Sequence, residues 1–383
     1  MSILVLMKRA ASIEQFPTGF GSRGYRQRLE RQFAECGIDI DGPNAWDIQV
    51  NNDDFYARVF ADGALGFGES YMDGWWDVRD LAGCIYRLLA GRLDERSRSW
   101  RDALTWLSAA LINRQRGSRA FEVAQRHYDL GNELYEAMLD RRMIYSCGFW
   151  ESAHTLDEAQ EAKLALTLDK LGLKPAQRLL DVGCGWGGAL RFATERYGVT
   201  GVGVTIAKEQ AAYARRICAD LPVAIRLQDY RKMREKFDHA FSIGMFEHVG
   251  VHNYRRYMQV MRRCLHPGGR FLLDTIGGFK STNHINPWIQ KYIFPNSMIP
   301  SRAQIEHAIE GIFTVRGWQS IGANYERTLL AWRANFERSW SRIASHYDER
   351  FHRMWDFYLS GSAAAFRAQK LDVWQVLLEP VQP

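Results

Sequence analysis

A ten-residue stretch, Leu179-Leu-Asp-Val-Gly-Cys-Gly-Trp-Gly-Gly188, constrains this chain more than any other. Leu179, Leu180 and Val182 suit a buried strand, and the glycines let the backbone turn sharply with no Cβ between it and a ligand. Residues 189–197 then read as the following helix. Asp181 closes the strand, at the carboxyl edge where open α/β sheets place their ligands. Such a turn alone is shared by NAD enzymes, nucleotide binders and plain tight turns. The acid two residues before the first glycine favours S-adenosylmethionine, which has no pyrophosphate and whose polar groups need acceptors.

The rest of the chain fits that start. From about Ala120 strands and helices alternate, with strands predicted at 178–182, 199–204, 224–227, 239–243 and 270–275 and helices at 189–197, 208–219 and 254–264. That is a doubly wound parallel sheet. Residues 279 to about 345 are predicted to interrupt it, with a Pro- and aromatic-rich segment at 286–300 suited to a lid and an apolar pocket wall. Residues 371–378 suit a last antiparallel strand. Residues 1–115 read as a small, mainly helical domain and 120–383 as the catalytic one. Within the former, 24–36, 81–93 and 100–112 have helical patterns, 49–59 is strand-like, and 63–77 packs glycines and aromatics into a turn-rich segment. Trp75 and Trp76 read as that domain's core. The helix at 100–112 carries an apolar stripe with arginines at its ends, which suits either a core face or an anionic membrane.

Composition narrows the partners. The chain is 46% hydrophobic and 25% charged, and no apolar run approaches the roughly 20 residues that span a bilayer. At the N-terminus the charges follow the apolar residues, the reverse of a secretory signal. Six cysteines without paired metal spacing or disulfide-like density predict no metal site and a reducing cytosol. A net charge of +6 attracts polyanions, and 13 tryptophans favour a lipid interface over nucleic acid.

The second strand ends in Gly201-Val-Gly-Val-Thr-Ile-Ala-Lys-Glu-Gln210, without the acid that a NAD site uses for ribose. Thr205 and Gln210 are neutral alternatives. The third runs into Gln228-Asp-Tyr230, where Asp229 and Tyr230 can meet an adenine amine and face. Glu247-His248 follows the fourth, on the edge that faces the methyl group.

Several further motifs go together: Gly68-Glu-Ser-Tyr-Met-Asp-Gly-Trp-Trp76, His127-Tyr-Asp-Leu-Gly-Asn132, Met143-Ile-Tyr-Ser-Cys-Gly-Phe-Trp150 and Gly244-Met-Phe-Glu-His-Val-Gly250. Pro287-Trp-Ile-Gln-Lys-Tyr-Ile-Phe-Pro-Asn296, Tyr325-Glu-Arg-Thr-Leu-Leu-Ala-Trp332 and Ala365-Phe-Arg-Ala368 join them. With the glycine loop, they resemble the cyclopropane-fatty-acyl-phospholipid synthase family, lipid methyltransferases related to mycolic acid cyclopropane synthases. The resemblance covers nearly the whole chain.

It implies an α/β class I methyltransferase fold with a Rossmann-like doubly wound sheet. It also implies methylene transfer from S-adenosylmethionine to the cis double bond of a phospholipid acyl chain. The cofactor contacts carried over are Tyr145, Ser146, Asp181, Gly183, Gly185, Gly187, Thr205, Gln210, Asp229 and Tyr230. A bicarbonate ion is implied as base, held by Cys147, Glu247, the backbone at Ile276, and Tyr325. The small N-terminal domain would help seat the lipid at the inner face of the cell membrane, and the enzyme would be a homodimer. Trp288, Tyr292 and Phe294 are candidates to stabilise a carbocation on the chain.

Two positions depart from the family. Ser362 stands where relatives can carry a cysteine. Asp274 replaces a histidine that is one of the bicarbonate ligands. Two like charges at 4 Å repel by roughly 4 kcal/mol at an effective dielectric of 20. Asp274 is therefore protonated, or replaces bicarbonate as the base, or impairs the site. A methyl-branched or hydroxylated product and a non-catalytic lipid-binding protein are the competing readings.

Overall fold

The computed structural model describes residues 22–93, 131–282 and 285–382. The predicted helix at 100–112, the first residues of the chain and most of the motif starting at His127 lie outside them.

Helices α1 (Ser22–Ala34), α2 (Asp54–Met72) and α3 (Leu81–Ala90) pack with a two-residue ribbon, β1 (Gln49–Val50) and β2 (Trp76–Asp77). Phe33, Phe55, Phe67 and Trp76 fill their shared core, so Trp76 is a packing residue. Here the sequence expectation fails: 54–72 is helical, neither strand nor turn. Glycines at 63, 66 and 68 mimic a turn signal. Gly63 does break the helix, at φ 55° and ψ −129°. Gly68 stays helical and lets Trp288 approach, because a Cβ there would lie 2.5 Å from the Trp288 Cδ1.

Next come α4 (Asn132–Met138), α5 (Leu156–Asp169), β3 (Arg178–Val182), α6 (Gly188–Tyr197), β4 (Thr200–Thr205), α7 (Lys208–Ile217), β5 (Val223–Leu227), β6 (Phe237–Ile243) and α8 (Tyr254–Arg263). The chain ends with β7 (Leu265–Gly278), α9 (Pro287–Tyr292), α10 (Arg302–Ile309), β8 (Phe313–Ser320), α11 (Tyr325–Ile343), α12 (Glu349–Arg367) and β9 (Leu371–Pro380). The seven-stranded sheet has the order β5-β4-β3-β6-β7-β9-β8. β3 to β7 are parallel, and β9 runs antiparallel between β7 and β8. The predicted strands and the α/β class hold.

The segment 279–345 does more than interrupt the sheet, since it contributes the edge strand β8 and the long helix α11. β8 carries little sequence signal, being largely exposed beyond Phe313 and shifted in its pairing between Val315 and Gly317. Strand order reverses between β3 and β6, so the crevice beyond their carboxyl ends is where a ligand belongs. Among the described residues no helix is long and apolar enough to cross a membrane.

Candidate active site

The glycine turn follows β3 directly. Gly183 (φ 88°), Gly185 (φ 51°) and Gly187 (φ 87°) all sit in the left-handed region that side chains disfavour. Their roles differ. Gly185 faces open space, so the backbone there can meet a ligand. A Cβ at Gly187 would lie 2.9 Å from the Ala214 Cβ, so this glycine lets α6 pack on α7 and does not line the cleft.

That cleft, about 180 Å³, is lined by Tyr145, Ser146, Asp181, Gly183, Gly185, Thr205, Gln210, Asp229 and Tyr230. All the predicted cofactor residues except Gly187 are therefore on one wall or another. Burial pushes the Asp181 carboxyl up to about 8, opposed by Lys163. A cationic ligand group would hold it ionised, which is the fit expected for an aminoacyl sulfonium. The Thr205 hydroxyl donates to Gln210 Oε1 at 3.0 Å, fixing one against the other. Asp229 is engaged within the chain: burial raises its pKa, but Arg231, 2.9 Å away through Nε, overcomes that and holds it below the usual range. Tyr145 shares a hydrogen bond with Tyr358, hydroxyl to hydroxyl, at 2.8 Å.

A second cavity of about 1350 Å³ opens beside this cleft, and Tyr145, Ser146, Gly244, His248 and Phe294 line both. Cys147, Glu247, Asp274, Ile276 and Tyr325 stand on its wall. The five residues carried over as catalytic are thus brought together. From there the cavity runs past Trp288 and Phe357 to Phe67, Ile85 and Leu89 of the N-terminal helices. Of the three candidate aromatics, Trp288 and Phe294 line it; Tyr292 instead turns its hydroxyl to Glu69 at 2.8 Å.

Glu247 carries the most informative geometry. Its Oε1 accepts the Ile276 amide at 2.6 Å, so that N–H already has a partner in the protein. Its Oε2 is buried with no hydrogen-bond partner. Burial pushes this carboxyl up to about 7, the backbone amides oppose the shift, and Asp274 adds to it. At neutral pH a proton is therefore available on Glu247, a residue of the cavity wall with one buried oxygen left unmatched. Cys147 donates to the Gly148 carbonyl at 3.2 Å, and burial pushes its thiol well up, so it is a neutral donor. Asp274 accepts from Gln375 Nε2 at 2.9 Å. Burial also raises it, against Lys163, Gln375 and Lys170.

Residues 115–376 match the family model for mycolic acid cyclopropane synthetase. The chain belongs to this family. It is 46% identical over 345 residues, 90% of each chain, to the cyclopropane-fatty-acyl-phospholipid synthase of Escherichia coli (strain K12). It is 33% identical, over 87% of its own length and 83% of the relative's, to the tuberculostearic acid methyltransferase UfaA1 of Mycobacterium tuberculosis. The crystal structure of mycolic acid cyclopropane synthase CmaA1 complexed with SAH and CTAB covers 67% of this chain and 97% of its own, with 33% identity and a TM-score of 0.64. A cyclopropane synthetase fold with an S-adenosylmethionine cleft is thus what the glycine turn begins.

His248, which the sequence already places beside Glu247, and two residues outside the motifs complete the site. His248 borders both cavities, and burial pushes it down to about 4, leaving it neutral. Lys163 and Gln375 lie behind the wall, 212 residues apart, and no local pattern marks them as partners. A polar residue on a buried helix face was the signal available at Lys163.

Proposed function

We propose that this cyclopropane synthetase family member transfers a methylene from S-adenosylmethionine to the cis double bond of an unsaturated acyl chain in a membrane phospholipid, forming a cyclopropane ring. The junction of the two cavities carries the reading: a small cleft with an acid for a cationic cofactor meets, at Tyr145, Ser146, Gly244, His248 and Phe294, a large apolar space whose wall holds Cys147, Glu247 and Tyr325. The larger cavity exceeds the roughly 300–1,000 Å³ of ordinary small-ligand sites. Charges divide along it, with Glu247 and Asp274 on the catalytic wall and Arg28, Arg92, Lys280, Arg367 and Lys370 elsewhere. Phe279, 64% exposed, borders it too. Cations beside an exposed ring suit a phosphate-bearing lipid at a bilayer surface. On this reading residues 1–115 seat the lipid, residues 120–383 do the chemistry, and the enzyme works as a homodimer on the inner face of the membrane.

When bound, S-adenosylmethionine supplies an electrophilic sulfonium methyl and bicarbonate a base beside it. The protein's share is placement and dryness. An alkene is a weak nucleophile, so the apolar walls must hold it in line with the methyl. The carbocation that follows on the chain survives where water is excluded, and Phe294, which lines both cavities, is the aromatic placed to stabilise it by about 0.5–2 kcal/mol. Cys147, Tyr325 and a protonated Glu247 are the donors suited to hold the anion; the unpartnered Glu247 Oε2 supports the fit.

Liposomes of cis-monounsaturated phospholipid with labelled S-adenosylmethionine test the reading. Lipids heavier by one methylene and resistant to hydrogenation are expected; no labelled lipid overturns it. Asp274 supports one second reading, a methyl-branched acyl product, and the same spectra separate the two. Bicarbonate dependence that is unchanged in Asp274→His removes Asp274 as the base.

A further inference from the structure

Helix α5 buries a polar stripe where an apolar one is expected. Gln160, Lys163 and Thr167 are fully buried, and with Lys170 just beyond the helix they recur every three or four residues on one face. Each is tied to the catalytic wall. Gln160 Nε2 donates to the Ser146 carbonyl at 2.7 Å, and Lys163 Nζ donates to the Ser146 hydroxyl at 2.8 Å. The Gln375 amide donates both to Thr167 Oγ1 and to Asp274 Oδ2, each at 2.9 Å, while Lys170 donates to its Oε1. One helix face thus grips Ser146 at the cofactor cleft and Asp274 in the lipid cavity.

We infer that Lys163 is a positioning residue of the methyl-transfer site, the buried counter-charge through which Asp274 is accommodated and by which Ser146 is held at the cofactor cleft. The inference rests on the function proposed above and adds a residue to it. Burial pushes Lys163 below its usual range, and Asp274 opposes this most, ahead of Asp140, Cys147 and Asp181. Lys163 is in turn the foremost charge opposing burial at Asp274. Geometry sets the lysine in the same layer: it shares its helix face with Thr167, which Gln375 links to Asp274. Removing one member of a buried pair leaves the other uncompensated, whereas removing both does not.

The test is a double-mutant cycle in the full chain with Lys163→Met, Asp274→Asn and the pair, read by kcat, KM, pH profile and thermal unfolding. Lys163→Met is expected to lower kcat at pH 8 by about tenfold or more with a lipid KM changed less than about twofold. That loss shrinks toward low pH, as Asp274 takes up a proton, and the double variant recovers several-fold over Lys163→Met. Asp140, Asp181, Glu247 and Lys170 titrate around the same centre, so the quantity that counts is the difference between the effect of Lys163→Met in the parent and its effect in the Asp274→Asn background. Additive losses, with no recovery, overturn the inference in favour of simple packing. If Lys163→Met fails to fold, folded protein in the double variant supports the coupling and its absence overturns it. If the parent enzyme methylates no lipid, the proposed function fails, yet the unfolding cycle still decides whether Lys163 and Asp274 are coupled.

Discussion

The cofactor cleft and the lipid cavity share a border but are built in opposite ways. The cleft comes mainly from the turns on the carboxyl edge of β3 to β6, closed by Tyr145 and Ser146 from before α5 and by Phe294, and its glycines fix the backbone where the ligand lies. The cavity has no such local origin: its walls come from α1 to α3, the loops after β6 and β7, and α11 and α12. Short-range geometry suffices for a small polar ligand, whereas a long flexible chain needs surface recruited from the whole molecule.

Three substitutions and one pH scan probe that division. The largest effect belongs to the catalytic wall of the larger cavity: Glu247→Gln is expected to lower kcat on the order of 100- to 1,000-fold, measured by labelled methyl transfer, while S-adenosylmethionine affinity by calorimetry stays within twofold. Asp181→Asn should do the reverse, weakening cofactor binding roughly 10- to 100-fold and leaving vesicle binding intact. Gly361→Leu acts at the far end. A Cβ at this cavity-lining site would lie 3.6 Å from the Ile85 Cδ1, in ordinary contact, and leucine favours α12. Lipid KM should rise about threefold to tenfold with the longest chains affected most, while cofactor affinity is unchanged.

The smallest effect is on stability. Glu247 is raised in the folded state to about 7, so folding favours its neutral form. Its contribution is fully present below the unfolded value near 4.5 and is lost as pH rises through 7. Melting temperature should therefore decline across that window more steeply in the parent than in Glu247→Gln.

The same contrast explains what the sequence could reveal. β3 to β7 were legible because apolar runs end in glycine or acid, and the cofactor residues ride on those ends. The helix at Asp54–Met72 was not, since its three glycines serve a kink and close contacts with the Arg58 carbonyl and Trp288, which look locally like a turn. Motif matching assembled Cys147, Glu247, Asp274, Ile276 and Tyr325, but neither the Glu247–Ile276 bond nor the Lys163 stripe follows from spacing. Both depend on which strand of the sheet faces which helix.

Helix α12 gives this architecture a mechanical link. Asp356 accepts the Tyr71 hydroxyl of α2 at 2.8 Å, and two residues on Tyr358 meets Tyr145. Asp356 and Tyr358 lie on opposite sides of the helix, so α12 bridges α2, which lines the larger cavity, and the Tyr145 ring, which borders both cavities.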